Sequence, residues 1–376
     1  MKHATLLTAL VAALLAVAPA ASAGGGHGPP GTAGAVFVQT NELTGNRIVV
    51  FDRAPDGQLT QAGTYATGGN GGAAAPGTES DRIASQGSLV YDGKHKLLLA
   101  VNAGSDSVSA FSVQGDVLTF EDVVSSGGQF PASIAVHDKL VYVLNAGGAG
   151  IVQGFRIEGD GLTPIAGSAR SLGLANTNPP FFLTSPGQVG FTPNGKKLIV
   201  TTKASGSTID VFDVGHDGLL SAAPVVNPSA TPVPFAFTFG AGGRLVTGEA
   251  GASSVTTYRI EHDGTLTGAQ SQSDGQVALC WIERVGPFYY VSNTGSNTLS
   301  GYRITGDGQP SLVTPTGVVA TTEAGPIDLV SSGRFLYVET GTAGTVDEYR
   351  VEHDGTLTQI GVVTGLPPGL EGIAST

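Results

Sequence analysis

Three side chains in this 376-residue chain have the types that acyl-transfer chemistry needs: Asp328, Glu371 and Lys203. A carboxylate can take a proton from an attacking water, and a Lys ammonium or the Arg82 guanidinium can stabilise the oxyanion that develops at a carbonyl. They are far apart in sequence, so only a repeating architecture can gather them. Aligning the starts of the repeated units puts Ser133, Gln188, Cys280, Asp328 and Glu371 in one column, with Gly87 and Ala236 as its small members. Glu42, Asp106, Lys203 and Glu249 fall in the turns after the next strand, and Arg82 and Glu323 in links between units. Asp328, Glu371 and Lys203 are therefore the catalytic candidates. Gln188, Ser133, Arg82, Glu42, Glu249 and Trp281 are the ligand-binding candidates. The competing reading is a ring of polar residues that water satisfies without any chemistry.

The remaining reactive residue types narrow the choice. His95 and His137 fall in first-hairpin turns, and His216, His262 and His353 precede outer Asp-Gly turns, which places all five opposite the candidate site. A Ser-His-Asp triad or a histidine-rich metal centre is disfavoured there. Cys280, the only cysteine, reads as a small packed residue. No Asp-x-Asp-x-Asp-Gly loop occurs, so no metal or other cofactor is expected, although an acidic mouth can attract a divalent cation. Trp281 could stack a sugar or an aromatic ring; strand alternation instead turns it away from the channel, into packing. The link Leu174 to Pro186, LANTNPPFFLTSP, is long enough to cap the mouth, or its two Phe rings simply anchor it.

The elements that position these residues are strands. Seven copies of one pattern recur: an alternating apolar strand, a small-residue turn, and a second strand ending in an aromatic. LLLAVNAGSDSVSAF and FYYVSNTGSNTLSGY are two of them. The closing aromatics are Phe51, Phe111, Phe155, Phe212, Tyr258, Tyr302 and Tyr349, with a spacing that suits four-stranded propeller blades. Asp-Gly pairs at 56–57, 160–161, 217–218, 263–264 and 354–355 mark outer hairpin turns. The last segment, LEGIAS at 370–375, resembles the start of each unit but has no unit after it. It is expected to be the innermost strand of the first blade, closing the ring and removing a sheet edge. The chain thus reads as all-β, a seven-bladed propeller of four-stranded antiparallel blades in one domain over 35–376.

Composition agrees. Only 13% of residues are charged, Gly numbers 57, and the formal charge is −12. That argues against nucleic acid as a partner, since phosphate binding needs clustered Lys and Arg. Residues 1–23 read as an export signal, with Lys2, an apolar run to Val17 and the exit Ala21-Ser22-Ala23. Residues 24–34 read as a flexible leader. No later stretch is long and apolar enough to span a membrane. A secreted monomer is expected, meeting a small molecule, a glycan or a protein.

These phrases resemble a family. VGFTPNGKKLIV, LVYVLNAGG and YVSNTGSNTLSGYRI with its HDGTL sequels are similar to blades of the seven-bladed propeller lactonases, which include 6-phosphogluconolactonase and the carboxymuconate-lactonising enzyme. YVSN at 290–293 is also similar to the repeat of surface-layer propellers. The resemblance implies a lactonase or cyclase acting at the channel mouth. It also implies a His and a Glu at positions that are Gln188 and Lys203 here, so the family's acid/base pair does not carry over. The alternative is a non-catalytic extracellular propeller that binds a small ligand, a glycan or a protein partner.

Overall fold

The computed structural model describes residues 33–75 and 79–376. The export signal expected at 1–23 and all but the last two residues of the leader expected at 24–34 lie outside the described residues. Seven antiparallel sheets succeed one another along the chain. Blade 1 is built from Gly34–Gln39, Arg47–Arg53 and Leu59–Ala66, with the C-terminal Ile373–Ser375 as its innermost strand. The inner strands of blades 2 to 7 are Leu89–Asp92, Pro131–His137, Gln188–Phe191, Pro234–Phe239, Leu279–Val285 and Pro326–Ser332. They contact one another in ring order, and Ile373–Ser375 touches both the seventh and the second. Closure through Val38 opposite Ile373 and Val36 opposite Ser375 is the clasp expected from the C-terminal repeat fragment.

The closing aromatics explain why the pattern repeats. Each sits on a third strand and wedges against the preceding blade: Phe111 packs with the Phe37 of blade 1, Phe155 with Leu99 and Val101 of blade 2, and Phe51 with Tyr337 of blade 7. All seven are at most 2% exposed, so each interface gains a full aromatic burial, on the order of 2–3 kcal/mol. Second-strand tyrosines add a directional link. The hydroxyls of Tyr142, Tyr290 and Tyr337 donate to the outer-turn carbonyls of Gly218, Gly355 and Gly57 on the next blade.

Sequence and structure differ in three places. The 160–161 pair is not an Asp-Gly turn: Glu158 pairs with Gly161, and the loop is Gly159-Asp160 with Gly159 in the left-handed region (φ 62°). The outer strands of blades 3 and 6 are each split in two, as Gly161–Pro164 with Arg170–Ser171 and Pro310–Leu312 with Val318–Thr321. The third difference matters for the site. Inner strands of blades 3, 5, 6 and 7 begin with a bulge, and pairing fixes their register: Ile134 faces Val143, Phe237 faces Thr247, Ile282 faces Val291 and Leu329 faces Val338. Ile373 faces Val38 and Leu89 faces Ala100 at the same level. The level that holds Ser133, Gln188, Ala236 and Asp328 therefore holds Trp281, Gly372 and Ser88, not Cys280, Glu371 and Gly87. The column is one residue out in blades 1, 2 and 6, the blades without the proline (Pro131, Pro186, Pro234 or Pro326) that marks the start of the inner segment in the others.

Candidate functional site

The channel mouth is filled by the chain itself. The link between blades 1 and 2 dips into it as a strap, Asp81-Arg82-Ile83-Ala84-Ser85-Gln86, whose Ile83, Ala84 and Ser85 are fully buried. Such a strap must have every backbone polar group satisfied. Glu371 accepts from the N–H of Ile83 (2.5 Å) and of Ser85 (3.2 Å). Lys203 Nζ donates to Ala84 O at 2.6 Å, the Trp281 indole to Ser85 O at 2.9 Å, and Ser133 Oγ to Gln86 O at 2.6 Å. Gln86 N donates to Gly187 O, and Ile134 N to Gly87 O. Across the channel, the Gln86 amide donates to Ile282 O and accepts from Ile282 N. Polar side chains from four blades thus grip one peptide.

Glu371 and Lys203 are brought together, and with them a residue the sequence reading did not single out, Asp81. Asp81 and Glu371 are in side-chain hydrogen-bond contact, which requires a shared proton. Burial raises both carboxyls, Glu371 well above its usual range, with the Asp81 charge adding to the rise. Burial pulls Lys203 down to about 8, against the opposing pull of Asp81, Cys280 and Glu371. The ammonium also lies 4.8 Å from the centroid of the Phe235 ring. Burial pushes the Cys280 thiol up, as an inert packed cysteine requires. Asp81, Lys203 and Cys280 line a cavity of about 190 Å³ on the mouth side, with Phe182, Leu183, Val233, Phe235, Ala250 and Ala278 among its walls.

The other candidates lie elsewhere. Asp328 lies in a second cavity of about 210 Å³ beyond the Gln86 crossbar, with Glu283. Burial, helped by Glu283, pushes Asp328 up to about 8, and burial beside Asp328 raises Glu339 well above its range. Gln188 accepts from Phe237 N, tying blade 4 to blade 5. Arg82 packs over Gly369. Glu42 is at the rim in an ion pair with Arg47 at 2.6 Å. Glu249 ends a strand instead of lying in a turn. It is fully buried and accepts from Ser229, Thr231, Ser254, Thr256 and Tyr258 hydroxyls. Trp281 is on the channel level, contrary to its expected alternation, because the column is one residue out in blade 6. Its ring is buried against Phe235 at 4.7 Å. The 174–186 link does reach over the mouth: Phe182 N donates to Ala75 O and Ala75 N to Pro180 O, with Phe181 39% exposed.

Ser85 follows a left-handed residue, Ala84 (φ 59°), just as Pro131 follows Phe130 (φ 55°) and Pro234 follows Val233 (φ 63°). Proline has no N–H to give, and the blade-2 departure from proline is what allows the bond to Glu371. Among the described residues no group of three or more His, Cys, Asp or Glu side chains could hold a metal ion, and no helix is long and apolar enough to cross a membrane.

Residues 10–162 match the family model described as lactonase, seven-bladed β-propeller. Among solved structures, the periplasmic gluconolactonase of Pseudomonas aeruginosa is similar with a TM-score of 0.71 at 17% identity, covering 91% of this chain and 98% of that one. A candidate 6-phosphogluconolactonase from Bacteroides uniformis gives 0.70 at 16% identity, over 91% and 99%. A protein from Lactobacillus plantarum gives 0.69 at 20%, over 91% and 99%. At these identities the structures share the fold, and the resemblance to the propeller lactonases read from the repeat phrases is borne out at that level. A comparison with curated protein sequences found no match.

Proposed function

We propose that this chain is an exported lactonase-type hydrolase that opens a small, uncharged lactone in the mouth cavity. The observation that carries the reading is the meeting of Lys203 with the proton-sharing pair Asp81 and Glu371 beside an apolar cavity. A lactone seated against Phe182 and Phe235 would present its carbonyl to the Lys203 ammonium, which stabilises the oxyanion in a site poor in water. The ionised member of the carboxyl pair takes the proton of the attacking water, and the protonated member delivers one to the leaving alkoxide. Asp328 is not assigned a part, because it sits in the other cavity. A sugar phosphate suits the site poorly: one buried cation among apolar walls is a weak phosphate holder.

A panel of aliphatic and aromatic lactones tests this, with a known lactonase as control. Turnover by wild type that falls by two orders of magnitude or more in Lys203→Met and Glu371→Gln supports it; no turnover beside an active control overturns it. The second reading is a propeller that binds without reacting. The strap favours it, since Ser133, Trp281, Glu371 and Lys203 already spend hydrogen bonds on the chain's own backbone. That reading expects lactones to raise the melting temperature without being consumed.

A further inference from the structure

We infer that Lys203 is an imine-forming lysine, able to condense with a small apolar aldehyde or ketone that enters the mouth cavity. The site is the one proposed above, but the inference does not require that lactones be hydrolysed there.

Lys203 is 1% exposed, held by the 3-10 turn Lys203–Ser205 with its own backbone in the left-handed region (φ 49°). Its Nζ donates two hydrogen bonds, to Ala84 O and Phe182 O, both at 2.6 Å. Among the described residues no carboxylate lies within ion-pairing distance of it. Two carbonyl acceptors match the two N–H bonds of a neutral amine, and the third tetrahedral direction meets no hydrogen-bond acceptor. The Phe235 ring stands near it, and both residues line the cavity. An ammonium in this place is only partly compensated, whereas a neutral amine is fully satisfied and keeps a lone pair for a carbonyl carbon. Desolvation accordingly favours the free base.

The cavity fixes the class of partner. Its walls are Phe182, Leu183, Val233, Phe235, Ala250 and Ala278, so a one-ring or short aliphatic carbonyl compound fits and a polyol does not. In the reaction the nitrogen lone pair forms the C–N bond while the carbonyl π pair moves to oxygen, which is protonated by the proton that Asp81 and Glu371 share. The nitrogen then gives up one proton to that pair. The hydroxyl takes a proton back and leaves as water as the nitrogen lone pair forms the C=N bond, giving an iminium, whose N–H proton returns to the carboxyl pair. Aldehyde and amine are thus converted to imine and water with the pair restored, and no oxidant or reductant is involved.

Full-length protein is incubated with benzaldehyde and sodium cyanoborohydride at pH 8, and benzylated peptides are located by mass spectrometry. Lys203 is expected to be modified at least tenfold faster than Lys94, Lys96, Lys139 and Lys196, which are exposed. Lys203→Arg should lose the fast modification, and Ala250→Leu, which fills the cavity but keeps the lysine, should slow it by about tenfold with the surface lysines unchanged. Modification of surface lysines at equal or greater rate than Lys203 in folded wild type overturns the inference. So does a fast reaction at Lys203 that Ala250→Leu does not slow, since the cavity would then not be the entry. A protein that hydrolyses no lactone yet shows the fast, cavity-dependent modification refutes the hydrolase reading alone.

Discussion

Gln86 and Ile282, 196 residues apart, face each other across the channel and exchange a pair of hydrogen bonds, 3.0 Å from Gln86 Nε2 to Ile282 O and 3.1 Å from Ile282 N to Gln86 Oε1. The pair imitates one rung of a β-ladder between opposite walls of the ring. It also separates the mouth cavity, with Lys203, from the second cavity, with Asp328. Gln86→Ala removes both bonds and is expected to cost about 1–3 kcal/mol. Gln86→Glu should cost more, because a carboxylate cannot donate to Ile282 O and would add charge near Asp328 and Glu283. Urea unfolding measures both; changes under about 0.5 kcal/mol in each would show that the crossbar does not hold the strap.

Stability should fall as pH rises through neutrality. Asp328 is pushed up to about 8 and Glu348 to about 7, in both cases by burial, whereas in the unfolded chain they titrate near about 4. Between those values the folded chain holds protons that the unfolded chain has released, so stability is greatest at the acidic end of the window and is lost as pH climbs to about 8. Lys203, pulled down to about 8, works the other way, adding stability as pH rises from there toward about 10.4. The melting temperature is expected to drop by several degrees from pH 5 to pH 8, with a shallower slope in Asp328→Asn. A flat or rising profile over that range would contradict the burial argument.

The repeat made the fold legible, and the site only in part. Closing aromatics, hairpin glycines and the terminal LEGIAS fragment each report a local requirement, so seven blades and the clasp follow from sequence. Glu371 and Lys203 were legible because carboxylate and ammonium in mouth-facing segments are few. Asp81 and Gln86 were not, because they belong to a link, and nothing local says that a link will enter the channel. Cys280 and Trp281 exchanged levels for a different reason: blade 6 has no proline to mark the start of its inner segment, so the column is one residue out there. Ser85 lacks the proline of blades 3, 5 and 7, but so do Leu279 and Leu370, which also follow left-handed residues, so its absence does not mark the strap.

Glu249 should prove structural. It occupies the strand-end place that Asn102 and Asn293 fill in blades 2 and 6, where each amide donates to a third-strand serine, Ser109 or Ser300. In blade 5 the corresponding partner is Thr256, and the carboxylate collects four further hydroxyls. Glu249→Ala strands several buried donors and is expected to cost about 3 kcal/mol or more, with Glu249→Gln in between. Neither should change the affinity of compounds that bind the mouth cavity, measured by thermal-shift titration. A selective loss of ligand affinity at unchanged stability would return Glu249 to the binding residues.

Ser85→Pro should destabilise the chain although it supplies the residue type with which the inner strands of blades 3, 5 and 7 begin. The left-handed residue before it is no obstacle, since Phe130 and Val233 adopt the same conformation before their prolines. What proline removes is the N–H that reaches Glu371 Oε1 at 3.2 Å, together with the hydroxyl that reaches Ala132 O at 2.7 Å. Ser85→Ala removes the hydroxyl alone, so the difference between the two variants isolates the backbone bond to a buried carboxyl. Ser85→Pro is expected to be about 1–3 kcal/mol less stable than Ser85→Ala by urea unfolding. It should also loosen the grip of Glu371 on the strap, seen as faster amide exchange at Ile83, because one of the two bonds that centre Glu371 beneath the strap is gone. Equal stability of the two variants, with Ile83 exchange unchanged, would mean that Glu371 holds the strap through Ile83 alone.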